Sequence, residues 1–328
     1  MATIVYHIGA LGDFLAVLPA VKLWRLVHPL DKTILLGKPA FGELGKLSGY
    51  FDDVWDAQRA AWSWLFSTAP VPEQGRQKFA GIAAAILFTA TDAPIVGRMS
   101  ELGVRDVYVQ PPFPLERIPI YAYHLSLFQR HVYLLDDFGP SISVPASYAT
   151  IARDILGAGK NPVALHPGSG SAKKNWPLCR FFSLAERIKK RGFSPLWLRG
   201  PAEEGLPAPD GCVVLDNAEL PMLVRLFQSC RGYIGNDSGI SHLAAAAGCP
   251  SIVLFGPSDP LVWKPYGAKV RALLARPGCA PCHPNNNGKP CPVGGCMERL
   301  SVDEVWEAFE RLVTVSELSR RAARVDNS

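Results

Sequence analysis

Short apolar runs alternate with segments of helical periodicity along the whole chain, the pattern of a parallel α/β protein. A helix is predicted over 122–138, a turn-rich surface loop over 70–77, and a long amphipathic helix over 302–321. Each half of the chain therefore predicts a parallel sheet with connecting helices. The predicted strands are 3–8, 33–36, 54–56, 82–88 and 106–109 in the first half, and 162–165, 195–198, 213–215, 232–234 and 251–255 in the second.

The length of the chain favours two domains. A chain of 328 residues is long for one hydrophobic core and sufficient for two. Residues 140–160 form the expected passage between the domains, with a short helix near 149–156. We therefore expect a first domain over 1–155 and a second over 156–328, whose last helix can pack back toward the first.

Charge and composition indicate an ordinary globular protein. The chain is 48% hydrophobic and 19% charged, with a net charge of +5 and a pI near 8.7. This mild basicity permits attraction to phosphates or to an anionic membrane surface, but it is not typical of a nucleic-acid-binding protein. No basic region precedes the first strand, and Asp13 and Pro19 interrupt the apolar run to Val27. We therefore expect neither a signal peptide nor a membrane span, a cytoplasmic location, and mostly reduced cysteines.

The most informative stretch is 233–260, which predicts a strand, a tight turn, a small-residue helix and a second strand. Polar residues gather where the helix starts, and the free N–H groups of a helix N-terminus suit a phosphate. His242 lies one turn into the helix, where it is either a core histidine or a ligand-binding residue. The predicted ligand-binding residues of this stretch are Asp237, Ser238, Gly239 and His242.

A second glycine turn follows the first strand, at Gly9–Asp13. Parallel sheets bind ligands outside the carboxyl ends of their strands, so Gly12 and Asp13 are candidates for a binding site. Asp13 has two interpretations with similar support: a helix-capping carboxylate, or a general base that faces a cleft between the domains.

A third candidate is the loop 166–177, which joins a strand to a helix and is rich in glycine, serine and lysine. Ser169, Gly170 and Ser171 let the backbone approach an anion, and Lys174 supplies a mobile positive charge. Such a loop can also be merely solvated. Neither glycine turn matches G-x-G-x-x-G or a P-loop, which argues against a dehydrogenase or a kinase.

A cysteine-containing loop is a further candidate site. Cys279 and Cys282 form a C-x-x-C pair, and Cys291 and Cys296 follow with a wider spacing. The set suits a structural zinc ion or a group of reduced thiols, and the sequence leaves both open.

Taken together, these motifs resemble glycosyltransferase family 9, which contains the ADP-heptose:lipopolysaccharide heptosyltransferases. The resemblance rests on GALGD at 9–13, HPGSG followed by KKNWP at 166–177, NDSGISHLAAAAG at 236–248, FGPSDP at 255–260 and the cysteine loop. It implies a GT-B fold, in which two Rossmann-like domains face a central cleft. The N-terminal domain would bind the acceptor and the C-terminal domain the nucleotide-sugar. Catalysis in the family inverts the anomeric centre and uses no metal or cofactor.

The resemblance also implies residue roles. Asp13 matches the base, Lys174 the diphosphate-binding lysine, and the 237–242 motif the nucleotide site. Glu203 or Glu204 matches an acid that binds the ribose. Where family members often carry arginine in the first strand, this chain has His7, which leaves the acceptor contacts open.

The implied function is inverting transfer of a sugar, best matched by heptose from ADP-heptose, to a lipopolysaccharide core or related glycan. A GT-B nucleotide-sugar epimerase and a non-catalytic nucleotide-sugar-binding protein are the alternatives. A lipid-anchored acceptor would place the protein at the inner face of the cytoplasmic membrane, in transient contact with it. Candidate membrane contacts in the N-terminal half are Arg59, Arg76, Lys78 and Arg98.

Overall fold

The computed structural model describes residues 1–134, 137, 139–157, 161–275, 282 and 295–325. The chain forms two compact units, Met1–Ile142 and Ser143–Ser328. Both consist of a parallel sheet with connecting helices, so the predicted fold class of two Rossmann-like units is confirmed.

The first unit contains a parallel sheet in the order β3-β2-β1-β4-β5. Its two central strands are buried on both faces, as expected for parallel strands covered by helices. Short 3-10 helices lie at Ala60–Phe66 and Ser126–Leu134. The elements are β1 (Ala2–His7), α1 (Leu11–Val27), β2 (Lys32–Gly37), α2 (Pro39–Leu47), β3 (Asp53–Asp56), α3 (Glu73–Phe79), β4 (Ile82–Phe88), α4 (Pro94–Glu101), β5 (Asp106–Gln110) and α5 (Ile120–Leu125).

The second unit contains a parallel sheet in the order β11-β10-β9-β6-β7-β8. Further 3-10 turns lie at Ala172–Lys174, Pro201–Glu203 and Cys296–Arg299. The elements are α6 (Tyr148–Leu156), β6 (Pro162–His166), α7 (Leu178–Lys190), β7 (Ser194–Arg199), β8 (Val213–Asp216), α8 (Leu220–Ser229), β9 (Gly232–Asn236), α9 (Gly239–Ala246), β10 (Ser251–Phe255), α10 (Pro260–Trp263), β11 (Val270–Leu274) and α11 (Val302–Val325).

The division between the units falls after Ile142, whereas the sequence placed it after residue 155. Helix α6 packs against α8 and so lies in the second unit. The first part of α11 packs against α7 and against β9, β10 and β11. There its buried Trp306 and Phe309 join Trp176 and Trp197 in the core of the second unit.

Two predicted elements differ from the structure, and one strand was not predicted. The helix expected over 122–138 ends at Leu125, because buried Phe128 adopts a non-helical backbone and packs 5.3 Å from both the Trp24 and Tyr108 rings. Helix α3 begins within the loop expected over 70–77 and runs past its end, and its Gly75 lies against Trp64. Strand β11 was not predicted at all, because its side chains are only partly buried and the apolar signal is correspondingly weak.

The order of each sheet reverses at one pair of neighbouring strands. In the first sheet the pair is β1 and β4, and in the second it is β6 and β9. Ligands of open parallel sheets bind in the crevice outside the carboxyl ends of such strands. The fold therefore directs attention to His7 and Phe88 in the first unit, and to His166 and Asn236 in the second.

Among the helices in the described part of the chain, none is both long enough and apolar enough to cross a membrane.

Candidate active site

An ion pair lies at the crevice of the second unit. Lys174 Nζ is 2.7 Å from Asp237 Oδ2, and the same oxygen accepts a hydrogen bond from Ser258 Oγ at 2.6 Å. Asp237 directly follows β9, and Lys174 ends the 3-10 turn of the loop that follows β6. Asp237 and Ser258 are buried, whereas Lys174 is partly exposed. An ammonium group has three N–H donors, so the bond to Asp237 leaves donors for a bound anion.

Helix α9 starts beside this ion pair. Ser238 is its N-cap, and its side chain accepts a hydrogen bond from the Ser241 N–H. The Ser241 hydroxyl donates to the Asn236 carbonyl at 2.5 Å and lies 2.9 Å from the Tyr233 hydroxyl. These bonds fix the strand-to-helix turn from within the core, and the N–H groups of Gly239 and Ile240, at the first two positions of α9, precede the first residue that an intrahelical acceptor can reach.

Asn236 joins the loop after β6 to β9. Its buried amide donates to the Pro167 carbonyl at 2.6 Å and accepts from the Trp176 N–H at 3.0 Å. The two ends of the loop are therefore tied to one side chain. This constraint, rather than the glycine content alone, sets where Lys174 lies.

The predicted phosphate-binding residues of this loop differ in what surrounds them. Ser169 Oγ lies 2.6 Å from Asn175 Oδ1 and 2.8 Å from the Ser171 carbonyl, and it accepts a bond from the Ser171 N–H at 3.2 Å. The Ser169 hydroxyl thus shapes the loop. Gly170 borders open space, since a Cβ there would meet nothing within 4 Å.

Glu203 and Glu204 point to different environments. Glu203 is buried, with Oε2 accepting a hydrogen bond from the Gly200 N–H at 2.9 Å and lying 3.4 Å from His166 Nε2. The hydrogen bond with His166 lowers the pKa of the Glu203 carboxyl, although burial opposes this. A Cβ on Gly168 would overlap Glu203, so glycine is required where the loop crosses this carboxylate. Glu204 is exposed.

His242 is half-buried in the first turn of α9. Burial lowers its pKa, and the Asp237 carboxylate and a hydrogen bond with the Trp263 backbone act in the opposite direction. The Lys174 ammonium also lowers it. His242 therefore belongs to the same electrostatic cluster as the ion pair.

In the first unit, Asp13 lies in the first turn of α1 and caps the helix. Its Oδ2 accepts a hydrogen bond from the Ala10 N–H at 3.2 Å. Gly12 and Asp13 are both half-buried. The capping interpretation is thus confirmed as geometry, and it does not exclude a second role, because the carboxylate remains partly accessible.

His7 and His124 lie close to this turn and are both buried. Burial and the Lys38 ammonium lower the pKa of His7 to about 4, and burial and His7 lower the pKa of His124 to about 3. The Nδ1 atom of each ring is buried without a hydrogen-bond partner. Phe88 contacts both rings edge-on, at centroid distances of 6.4 Å and 5.2 Å. Both imidazoles are therefore neutral at neutral pH.

The four basic residues predicted to meet a membrane differ in exposure. Arg98 is buried and donates to the carbonyls of Ser67 and Ala69 as well as to Glu101, so it is not available at a surface. Arg59 is exposed, with Asp56 3.8 Å away. Arg76 donates to the Glu101 carbonyl, and Lys78 lies 4.5 Å from the Trp55 ring centroid.

The cysteine loop falls largely outside the described residues, which include Cys282 and Cys296 but neither Cys279 nor Cys291. Among the side chains that the structure describes, no group of three or more histidine, cysteine, aspartate or glutamate residues is arranged to hold a metal ion. The zinc hypothesis therefore stays a hypothesis.

Sequence reasoning gave no role to several residues that build the two crevices. Ser258 lies in the FGPSDP motif and His166 is the first residue of the loop motif. Their positions in these motifs could therefore have indicated a role in the site. No motif contains Lys38 or His124, and only the packing of α2 and α5 brings these two residues to the end of β1.

Comparisons with known proteins identify the family to which the chain is similar. A family model described as glycosyltransferase family 9 (heptosyltransferase) matches residues 126–291. Lipopolysaccharide heptosyltransferase 3 of Escherichia coli is 28% identical over 134 residues, which are 37% of this chain and 39% of that relative. The chain thus matches well under half of the length of this curated relative.

Two solved structures resemble nearly the whole chain. The glycosyl transferase family 9 protein of Veillonella parvula has a TM-score of 0.76 at 16% identity, covering 95% of this chain and 97% of that one. The E. coli ADP-heptose lps heptosyltransferase II has a TM-score of 0.70 at 17% identity, covering 97% and 100%. These likenesses show the fold, which is the GT-B fold of such enzymes.

Proposed function

This chain belongs to glycosyltransferase family 9, and from that premise we propose that it transfers heptose from ADP-heptose to a lipopolysaccharide core glycan with inversion. The single observation that carries the proposal is the ion pair of Lys174 and Asp237 beside the start of α9, at the point where the second sheet reverses its order. ADP-heptose is the proposed donor because it stands in the name of the E. coli heptosyltransferase II, whose fold this chain shares. The acceptor class is that of the curated relatives.

In this proposal the second unit binds the nucleotide diphosphate. Lys174 donates its remaining N–H groups to the diphosphate, and the N–H groups of Gly239 and Ile240 at the start of α9 bind the same charge. Asp237 and Ser258 hold the lysine in place. Negative charge grows on the diphosphate as it departs. These N–H groups therefore stabilise the transition state more than they stabilise the bound nucleotide-sugar.

Asp13 is the proposed base. The acceptor oxygen forms a bond to the anomeric carbon while the bond from that carbon to the diphosphate oxygen breaks, and its electron pair leaves with the nucleotide. The proton of the acceptor hydroxyl passes to the Asp13 carboxylate. Attack from the face opposite the leaving group inverts the anomeric centre.

For the ribose, we propose that Glu203 acts through the backbone and not through direct contact. Its carboxylate is buried against His166, Gly168 and Gly200. It supports the loop that leads to Lys174, and the exposed Glu204 is the one of the two that a ribose can reach.

A lipid-anchored acceptor would require the protein to visit the cytoplasmic face of a membrane. We propose a loose electrostatic contact through the first unit, since its Arg59, Arg76 and Lys78 remain candidates while Arg98 does not. Co-sedimentation with anionic vesicles, weakened by salt, is the expected result. Equal binding to neutral vesicles would contradict it.

Incubation of the protein with ADP-heptose and a heptose-lacking lipopolysaccharide core, followed by mass spectrometry of the glycan, tests the function. The expected result is one added heptose, with ADP released and the donor stable when the acceptor is omitted. Conversion of the donor alone to an isomer would favour the epimerase alternative. Nucleotide-sugar binding with no turnover on any acceptor would favour the binding protein.

A further inference from the structure

A cavity of about 390 Å³ lies in the first unit, at a distance from the crevice outside the carboxyl ends of the strands. It is lined by the C-terminal end of α1, by Tyr108 of β5 and by the 3-10 helix Ser126–Leu134. Trp24, which lines it, lies eleven residues after Asp13 on α1, which is about 16 Å along a helix axis at 1.5 Å per residue. The cavity is therefore separate from the candidate active site.

The floor of the cavity is aromatic and is formed by Trp24, Tyr108 and Phe128. The centroids of the three rings are 5.3 Å apart in each pair, and Trp24 and Phe128 are buried. Trp24 Nε1 donates to Thr3 Oγ1 at 3.0 Å, so the polar atom of the indole already has a partner in the core. The rings therefore present an apolar surface that the apolar part of a ligand can cover.

The polar part of the lining is basic. Arg130, His131 and His28 line the cavity, and none of its lining residues is acidic. Arg130 is exposed, and its guanidinium keeps its positive charge at every physiological pH. The His28 ring stacks on Trp24 with the centroids 3.8 Å apart, and its Nδ1 lies 3.1 Å from the Trp24 carbonyl oxygen. An aromatic floor beside a guanidinium suits an amphipathic anion, because the apolar part is buried while the negative group meets the arginine.

The place of the cavity in the sheet distinguishes a dissolved ligand from a membrane lipid. In the strand order β3-β2-β1-β4-β5, right-handed crossovers place α1 and α2 on one face of the sheet and α3 and α4 on the other. The cavity lies beside α1, whereas two of the candidate membrane contacts, Arg76 and Lys78, belong to α3. A membrane surface that meets α3 does not cover the cavity, so a ligand of the cavity comes from solution.

We propose that this cavity is a second ligand site, and that it binds a small dissolved anion with an aromatic or other apolar body. The body lies on Trp24, Tyr108 and Phe128, and Arg130 binds the phosphate, sulfonate or carboxylate group. The volume of the cavity is at the lower end of the range for small-molecule sites, which favours a compact ligand. The inference does not rest on the proposed function, because no residue of the cavity belongs to either crevice.

Fluorescence titration with two related probes tests the site. Anilinonaphthalene sulfonate has an aromatic body and one negative charge, and phenylnaphthylamine is the same body without the sulfonate. Arg130→Gln should raise the Kd of the sulfonate probe about 5-fold to 10-fold and leave the Kd of the neutral probe unchanged. Arg59→Gln is the matched control, since it removes an exposed arginine of the same unit that does not line the cavity. An unchanged Kd of the sulfonate probe in Arg130→Gln, or an equal rise in Arg59→Gln, would overturn the inference.

NMR of the histidine side chains locates the bound probe in the wild-type protein. The chain has seven histidines, of which His28 and His131 line the cavity. The sulfonate probe should shift the ring signals of these two, each assigned from the spectrum of its glutamine variant, and leave those of His7 and His166 in the two crevices unchanged. No shift of His28 and His131 at saturation, or shifts confined to other histidines, would overturn the inference. Neither experiment needs a nucleotide-sugar, so its outcome is independent of the test of heptose transfer.

Discussion

In each unit, one of the two strands at which the sheet order reverses ends in a buried histidine. The two histidines have opposite surroundings. His166, at the end of β6, has Glu203 Oε2 3.4 Å from its Nε2. His7, at the end of β1, has the Lys38 ammonium nearby, and a Cβ on Gly9 would lie 3.1 Å from its Nε2. In the second unit the histidine lies beside a carboxylate, whereas in the first unit it lies beside an ammonium group, which together with burial lowers the pKa of the ring.

In the proposed function the two units serve two different binding tasks. A nucleotide diphosphate carries a fixed charge, and a site whose lysine, loop and helix are already oriented binds it without reorganisation. In the same proposal an acceptor hydroxyl loses a proton during the reaction, so the first unit needs a carboxylate that can act as a base. Single substitutions in either unit can separate the two tasks.

The strongest loss of activity is expected for Asp13→Asn. The amide oxygen can still accept the bond from the Ala10 N–H, so the helix cap survives while the base is lost. We expect turnover to fall by roughly 10²-fold to 10⁴-fold, measured as heptose transfer, with little change in melting temperature. A variant that keeps wild-type turnover would leave Asp13 with only its capping role.

Lys174→Ala should lower kcat/KM for the nucleotide-sugar by about 10²-fold to 10³-fold, because it removes the charge that is proposed to meet the departing diphosphate. Lys173→Ala is the matched control, since this neighbouring lysine is exposed. Comparable losses in both variants would indicate a diffuse electrostatic effect of the loop and would break the assignment to Lys174.

The two units should lose stability in different pH windows. The pKa of His7 falls from 6.5 to about 4 in the folded state, so below pH 6.5 the unfolded chain binds a proton that the folded chain does not. Stability attributable to neutral His7 is therefore lost between pH 6.5 and 4, by roughly 3 kcal/mol. The pKa of Glu203 is lowered instead, so its contribution is complete above pH 4.5 and is lost only below it.

Urea unfolding as a function of pH checks this difference. His7→Phe should flatten the decline between pH 6.5 and 4, whereas Glu203→Gln should alter the curve only below pH 4.5. A His7→Phe protein with the wild-type slope would show that the ring is not held neutral.

A smaller effect, on stability, is expected for a glycine substitution in the loop after β6. A Cβ on Gly168 would lie 1.7 Å from Glu203 Oε1, so Gly168→Ala must displace the carboxylate and should cost about 1–3 kcal/mol of unfolding free energy. Gly170→Ala adds its Cβ to open space and is the matched control. Equal stability of the two variants in thermal denaturation would show that Glu203 does not hold this loop.

Local signals predicted much of this molecule. The apolar runs located most of the strands, and the NDSGISH motif located the turn that brings Asp237 to α9. The family resemblance also assigned Lys174 to the same binding site as this turn. The structure brings the Lys174 and Asp237 side chains together.

What depends on packing could not be predicted. The break at Phe128 follows from the rings of Trp24 and Tyr108, which lie far from it in sequence. The orientation of Glu203 toward His166 follows from the positions of neighbouring strands β6 and β7. No periodicity records such contacts, because they depend on the register of elements that fold together only in three dimensions.

Isothermal titration of ADP into the Asp13→Asn and Lys174→Ala proteins tests whether the two units have separate tasks. We predict a wild-type Kd for Asp13→Asn and a Kd raised at least about 10-fold for Lys174→Ala, since only the second change removes a diphosphate contact. An ADP affinity that Asp13→Asn weakens as much as Lys174→Ala, or that neither variant changes, would refute this division of tasks.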